Sequence, residues 1–350
     1  MAKAPWWRQD VFADRAANLR MRGAMLRATR QFFETRDFAE VETPALQVSP
    51  GLEPHLKAFA TTLEDSGETR GRQKRRLFLH TSPEFAMKKL LAAGVKRMFQ
   101  LAHVFRNAER SFTHHPEFSL LEWYRAGATY RDLMEDCEEL LRHTLKAAGR
   151  TFFTYKGKSA DPAQKFQRLS VAESFERFAG IDVLATAPDP QKPELKLLAK
   201  AAKPLGISPH RGDSWEDLFF RIFLDRIEPN LGSPAPTLLY DYPVSMAALA
   251  RAKPGDQRLA ERVELYVCGL ELANGFSELT DAKEQRARFA RDRKLKRKLY
   301  GEAYPVDEDF LAALEAGLPE SAGMALGFDR LVMLACGAET IDQVLWAPMA

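Results

Sequence analysis

Residues 98–125 read MFQLAHVFRNAERSFTHHPEFSLLEWYR. Met98 to Arg106 alternates apolar and polar side chains, as does Glu117 to Arg125, and a polar loop over 107–116 separates them. That pattern predicts a long antiparallel hairpin. A period of two puts Phe118, Leu120, Glu122 and Tyr124 on one face. A carboxylate and a phenol two residues apart suit a cationic amine, although a strand with one wet face reads the same way. Arg106 sits where the first strand runs into the loop. Its guanidinium can take a phosphate through two parallel hydrogen bonds, although a lone arginine at a strand end is usually only a solvated charge.

Upstream, residues 11–36 predict one long helix, rich in Ala, Leu, Met and Arg and free of internal proline. Phe38 to Thr43 reads as a short strand stopped by Pro44. Residues 66–76 read as a polar, basic hairpin tip, and Leu77–His80 as a strand. Ser82 and Pro83 supply an N-cap and a helix-first proline for a helix ending near Gly94. Downstream, Thr129 and Asp132 open a capping-box helix running to about Ala148. Residues 150–235 read as a mostly helical insertion without a chemical motif. Strands return at Thr237–Tyr242, Arg262–Cys268 and Leu270–Asn274. A basic helix over 281–300 follows, then a strand–helix unit over 323–336. Hairpin-joined strands with helices grouped between them predict an α+β fold on a mixed, mainly antiparallel sheet.

The bulk composition is ordinary for a globular protein, with 45% hydrophobic residues, 28% charged residues and a net charge of +3. This permits an acidic partner without requiring nucleic acid. Cys137, Cys268 and Cys336 lie far apart with no metal-ligand spacing, which fits a reducing compartment. The charged N-terminus has no apolar core of a signal peptide, and no apolar run approaches the ~18 residues of a membrane span. The expectation is a cytoplasmic protein with no membrane association.

Two further units carry chemistry. In VELYVCGLELANGFSEL (263–279), a turn at Cys268-Gly269 pairs Tyr266 with Glu271 and sets Glu264 diagonally on the same face. Two carboxylates so placed repel unless a cation lies between them, so a shared Mg²⁺ on a polyphosphate is expected. Asn274-Gly275 signals a bulge that re-aims Glu278 into the same cavity. In AGMALGFDR (322–330), small residues at 323, 325 and 327 admit a ligand close to the strand, and Arg330 falls in the first turn of a helix, where anions are favoured.

Together these units resemble, in order, the three motifs of class II aminoacyl-tRNA synthetases: FAEVETP (38–44), FRNAER…HHPEFSLLEWY (105–124) and GMALGFDRLVML (323–334). TSPEF, HHPEF, ELANGFSELTDA and GFDRL narrow the likeness to the lysyl branch. Within it the chain is most similar to the elongation factor P–(R)-β-lysine ligase family, from about Asp14 onward. Motif 1 begins near Phe38, which leaves no room upstream for an anticodon-binding domain, so one catalytic domain over 1–350 is expected. Alanine at 325, where synthetases usually carry glycine, also matches the ligases.

The resemblance implies a site. Arg106 and Arg330 would clamp a bent ATP, with Asn107, Glu109, His115, Glu271, Leu272 and Gly327 also at the nucleotide, and Glu264 and Glu271 on Mg²⁺. Ser82, Pro83 and Glu84 would hold the reacting end of β-lysine or lysine. Glu122, Tyr124, Asn274 and Glu278 would enclose its amines, and Ala325 would trim the pocket. The implied acceptor is elongation factor P, not tRNA; a homodimer through motif 1 is also implied. The basic helix, with Arg286, Arg288, Arg291, Arg293, Lys294, Lys296, Arg297 and Lys298, either steers that acidic protein or is a solvated face. Two positions depart from the family pattern. Ala108 stands where a glutamate commonly reads adenine, leaving that contact to Glu109, and His115 replaces an asparagine. Adjacent histidines on a loop seldom converge on a metal, so His114 and His115 are set aside as ligands. Two alternatives stay open: a minimal lysyl-tRNA synthetase-like activator, and a catalytically dead paralogue acting as a binding subunit.

Overall fold

The structure, a computed structural model, describes residues 4–64 and 74–349. Its centre is a nine-stranded sheet. In spatial order eight strands run Ala39–Glu40, Arg97–Phe105, Glu117–Ala126, Ser321–Gly327, Leu270–Ser277, Asp256–Val267, Thr237–Pro243 and Gln167–Ser170, and Ala252–Lys253 pairs with Asp256–Val267. Only the two outermost pairings, Ala39–Glu40 with Arg97–Phe105 and Gln167–Ser170 with Thr237–Pro243, are parallel. The expected α+β class holds.

The first hairpin forms as its alternation predicts, pairing from Arg97↔Arg125 to Phe105↔Glu117. The C-terminal strand Ser321–Gly327 slots between the two hairpins, antiparallel to both. This produces rows of side chains across four strands. Glu122, Ala325, Asn274 and Glu264 are one row of register partners, and Tyr124, Gly323, Phe276 and Arg262 are the next. Because pleating alternates faces, Leu121, Trp123, Met324, Leu326, Ala273, Val263 and Leu265 fall on the other side. There they join the main core with the helices Ala16–Glu34, Tyr130–Ala147 and Phe328–Cys336. One face of the sheet is therefore packed, and the other is left to the site.

Several expectations need correction. The first helix is broken into Gln9–Ala13 and Ala16–Glu34. No glycine or proline causes this; Arg15 turns its guanidinium onto the carbonyls of Leu345 (2.7 Å) and Asp342 (3.3 Å) in the C-terminal segment. The strand expected over 38–43 contracts to Ala39–Glu40. Of the expected loop at 66–76, residues 66–73 lie outside the described residues, and 74–76 begin the strand Lys74–Leu79. The span 150–235 contains the helices Val171–Ala179, Leu195–Ala202 and Trp215–Ile222, but also a small hairpin and the edge strand Gln167–Ser170. It packs a second apolar cluster, with Phe175, Trp215, Phe219 and Phe223, onto Leu239, Tyr242 and Tyr266 of the sheet.

The basic helix Ala282–Tyr300 is only partly a solvated face. Arg288 donates to the carbonyls of Ala248 (2.8 Å) and Ala250 (2.7 Å), Lys296 to those of Pro54 (3.0 Å) and Leu56 (2.6 Å), and Arg293 to Tyr304 (2.9 Å). These cations satisfy loop carbonyls that have no partner in a sheet or helix. Arg286, Arg291, Lys294, Arg297 and Lys298 face solvent. No described helix is long and apolar enough to cross a membrane.

Candidate active site

Over the open face of the sheet lies a cavity of about 310 Å³, lined by both cationic and acidic side chains. That volume is at the lower end of small-molecule sites. Lining it are Ser82, Glu84, Arg106, Glu109, His115, Glu122, Tyr124, Glu271, Leu272, Asn274, Ala325, Gly327 and Arg330, so thirteen of the predicted site residues converge.

At one end stand Arg106 and Arg330. Arg330, in the first turn of Phe328–Cys336, is held by three contacts: Nε to Thr113 O (3.2 Å), Nη1 to Glu271 O (2.8 Å) and Nη2 to His114 Nε2 (2.7 Å). His114 must accept there, so its proton sits on Nδ1, which donates to Ser111 Oγ at 2.7 Å. Burial, then the nearby Arg330 and Arg106, pull the His114 pKa down to about 4, so the ring stays neutral. Arg106 donates to Thr81 O (3.3 Å) and lies over the Phe118 ring at 5.2 Å. Burial and the repulsion of Arg106 together lower the Arg330 pKa despite the opposing pull of Glu271. Two cations lining one cavity, one of them largely buried, make a preformed anion site.

At the other end carboxylates outnumber cations. Glu122 accepts from Ser82 Oγ (2.6 Å) and Tyr124 OH (3.0 Å). Lys88 lies 2.5 Å from both Glu84 and Glu278. Burial opposes the Lys88 charge, but those two carboxylates outweigh it and raise its pKa. One lysine cannot neutralise three carboxylates. Burial, reinforced by Glu84, raises the Glu122 pKa to about 8. Burial likewise raises Glu278 to about 8 against the pull of Lys88. An ammonium entering beside Glu122 would displace the proton that its raised pKa retains. Gly323 is obligatory here, since a Cβ would fall 2.2 Å from the Tyr124 ring and 2.7 Å from Glu278 Oε1.

Between the ends, the second hairpin turns at Cys268-Gly269, both with positive φ, and pairs Tyr266 with Glu271 as expected. The bulge, however, is at Leu272, which is skipped between the Tyr266↔Glu271 and Leu265↔Ala273 pairs. That extra residue is what brings Asn274, rather than Ala273, opposite Glu264 on the site face. Asn274-Gly275 is regular strand, and Gly275 is needed because a Cβ would lie 2.5 Å from Gly323 O. Glu278 is instead placed by its own amide, which donates to Ser321 O at 2.9 Å.

Glu264 has a cationic neighbour on its own strand. Arg262 donates to Glu264 Oε1 (2.7 Å) and Asn274 Oδ1 (3.2 Å), while Tyr242 and Tyr266 both donate to Glu264 Oε2. Glu264 does not line the cavity; Glu271 does. Burial and then Glu264 raise the Glu271 pKa to about 7 against Arg330 and Arg262. Among the described residues no group of three or more His, Cys, Asp or Glu is placed to hold a metal ion. The arrangement fits Mg²⁺ that arrives on phosphates and meets one protein carboxylate, not an all-protein cage.

Three other predicted residues stand outside the cavity. Asn107 folds its side chain onto the amide of Ala108 (2.8 Å), which has φ +66°, and thus shapes the loop. Pro83 opens the helix Glu84–Ala92. Glu278 is buried behind Gly323. His114 and His115 diverge: the His115 ring bonds Glu117 O (2.5 Å) and the amide of Met349 (3.2 Å). Sequence reading missed Glu53, Lys88 and Arg262. Lys88 was findable, because i,i+4 spacing from Glu84 puts the two on one helix face. Arg262 enters two residues before Glu264, also on one strand face. Missed as well was Arg22, whose guanidinium pairs with Asp329 and donates to Ser119 Oγ (2.9 Å) beside the Arg330 turn.

Comparison with known proteins agrees with this geometry. The family of class II tRNA synthetases (D, K and N) matches residues 8–350. The elongation factor P–(R)-β-lysine ligase of Vibrio parahaemolyticus is 40% identical over 333 residues, 94% of this chain and 95% of the relative. That of Klebsiella pneumoniae is 39% identical over 328 residues, covering 94% of each chain. That of Proteus mirabilis is 40% identical over 336 residues, 95% of each. The chain belongs to the class II tRNA synthetase family, in the branch of the elongation factor P–(R)-β-lysine ligases.

Proposed function

We propose that this protein activates (R)-β-lysine, or lysine, with ATP and transfers it to a lysine ε-amine of elongation factor P. The carrying observation is the charge around one cavity: Arg106 and Arg330 line it together, and so do the carboxyls of Glu84 and Glu122, with Lys88 and Glu278 packed behind them. An amino acid with two ammonium groups and one carboxylate fits that arrangement, with its carboxylate toward the arginines. The ligase relatives, about 40% identical, point to the same acceptor.

In the first half-reaction the substrate carboxylate oxygen attacks the ATP α-phosphorus. The new C–O–P linkage forms as the bond to the β-phosphate oxygen breaks, releasing pyrophosphate. Arg106 and Arg330 neutralise the charge that moves onto the phosphate oxygens, which is the main demand of such transfers. Glu271 would hold Mg²⁺, which would supply Lewis-acid neutralisation of the polyphosphate. Ser82 and Tyr124 hold Glu122, and Lys88 holds Glu84 and Glu278, so the amine pocket is rigid before substrate arrives. Ala325 stands abreast of Glu122 and Asn274, and its methyl narrows the gap they bracket. In the second half-reaction the acceptor amine attacks the acyl carbon; the C–N bond forms and AMP leaves.

Glu109 lines the cavity 4.0 Å from Arg106, and the left-handed turn at Ala108 re-aims it, so we assign it the adenine contact. A homodimer across the short edge strand Ala39–Glu40 is part of the proposal, supported by the exposed Leu46 and Val48 nearby. Three free cysteines suit a cytosolic setting.

The test is ATP-dependent transfer of radiolabelled (R)-β-lysine or lysine to purified elongation factor P, beside bulk tRNA. Label on the factor supports the ligase; label on tRNA alone makes the protein a synthetase-like activator. Absence of both transfer and pyrophosphate exchange would make it a binding paralogue.

A further inference from the structure

Glu53 is a half-buried residue of the loop between the strands Leu46–Gln47 and Ala60–Glu64, and nothing above gives it a task. It lines the main cavity beside Ser82, Glu84 and Arg106, and with Ser82 and Glu84 also lines a second, smaller cavity. Its Oε2 is buried and has no hydrogen-bond partner among the described residues. Such an orphaned carboxylate oxygen is costly unless it serves a ligand.

The loop is built to hold it there. Lys296 donates to Pro54 O and Leu56 O just after it, Thr81 Oγ1 donates to Pro50 O (2.5 Å) before it, and the Leu56 amide closes a turn on Glu53 O (3.3 Å). Gly51 adopts φ +110°, and a Cβ there would fall 2.7 Å from Glu53 Oε2. Of the other carboxylates that line the cavity at the amine end, Glu84 is held by Lys88 and Glu122 by Ser82 and Tyr124; Glu278 lies outside it, behind Gly323. Burial first, then Glu84, raises the Glu53 pKa; Asp292 adds to this and Arg106 opposes it. Lys296, from the same helix as Asp292, also feels the Glu53 charge.

The second half-reaction needs a proton acceptor. The acceptor lysine is an ammonium at neutral pH, with no lone pair to attack the acyl carbon. The acyl carbon must lie between the amine-binding carboxylates and the arginines, and Glu53 neighbours one of each. We propose that Glu53 is the general base of the transfer step: its carboxylate takes one proton from the acceptor ε-ammonium, freeing the lone pair that forms the C–N bond, and as AMP departs with the electron pair of the broken C–O bond the second nitrogen proton passes to the phosphate of the leaving AMP. A carboxylate of raised pKa is a better acceptor for such a proton than an ordinary one.

This inference rests on the ligase reading, and its test separates the two. Full-length wild-type and E53Q proteins are loaded with ATP and (R)-β-lysine, and pyrophosphate exchange establishes adenylate formation. Each adenylate is then discharged either to elongation factor P or to hydroxylamine, which is largely unprotonated at neutral pH and needs no base. The ratio of the two rates on one preparation cancels any loss of folded protein. E53Q should lower that ratio on the order of a hundredfold, the usual scale of a general base. E53D should restore part of it. A wild-type ratio in E53Q overturns the inference, as does a defect confined to adenylate formation with a raised KM for the amino acid. Absent pyrophosphate exchange in the wild type would instead sink the ligase reading.

Discussion

Ser82 and Glu122, forty residues apart in the chain, are joined by a 2.6 Å hydrogen bond across the amine end of the cavity. Ser82 also accepts from the amide of Glu84 at 3.0 Å, so a single hydroxyl ties the start of a helix to the middle of the sheet. The acidic pocket is consequently assembled before any ligand arrives.

The retained proton sets a pH dependence. Burial, reinforced by Glu84, pushes the Glu122 pKa up to about 8, but Glu122 must be ionised to pair with an ammonium. Affinity for the amino acid therefore falls as pH drops below 8, by up to about tenfold per unit for each proton released, and levels off above it. Glu122→Gln removes one such proton: calorimetry in buffers of different ionisation heat should show one fewer proton released, with affinity reduced on the order of a hundredfold. An unchanged proton count would refute the pocket assignment.

Arg330→Ala leaves Glu271 O, Thr113 O and His114 without their donor but removes little apolar packing. Pyrophosphate exchange should fall on the order of a thousandfold, the scale of losing a transition-state charge donor. Circular dichroism should remain native. Wild-type exchange would end its role as a phosphate clamp.

Ala325→Gly opens the row between Glu122 and Asn274 by one methyl. The ratio of kcat/KM values for α-lysine over (R)-β-lysine should rise about tenfold, since one methyl in a pocket discriminates by roughly 1–3 kcal/mol. An unmoved ratio would separate Ala325 from isomer choice.

Glu271 and Glu264 should part company when Mg²⁺ is titrated. Glu271→Gln should raise the Mg²⁺ needed for half-maximal exchange about tenfold, the scale of weakening a metal site. Glu264→Gln should act mainly on stability, because it disturbs Arg262, Tyr242 and Tyr266 together. Equal Mg²⁺ shifts in the two variants would place both on the metal.

The split between what was legible in the sequence and what was not follows the range of the forces involved. Alternation over 98–106 and 117–125, the Cys268-Gly269 turn and the capping box at Thr129 are local signals, and each yields the element it predicts. Arg106, Glu122, Glu271 and Arg330, picked out by residue type and spacing, and Ser82 and Glu84, implied by the family resemblance, meet in one cavity. Tertiary structure decided the rest. Which strand enters between the two hairpins depends on long-range pairing, so the row Glu122–Ala325–Asn274–Glu264 cannot be read along the chain. The bulge at Leu272, the break before Ala16 and the inward turn of Lys296 and Arg288 arise where a distant backbone or side chain outbids local propensity. Arg262 lies against Glu264 because burial demands a partner for that carboxylate, and only the folded sheet brings Tyr242, Arg262 and Asn274 together there.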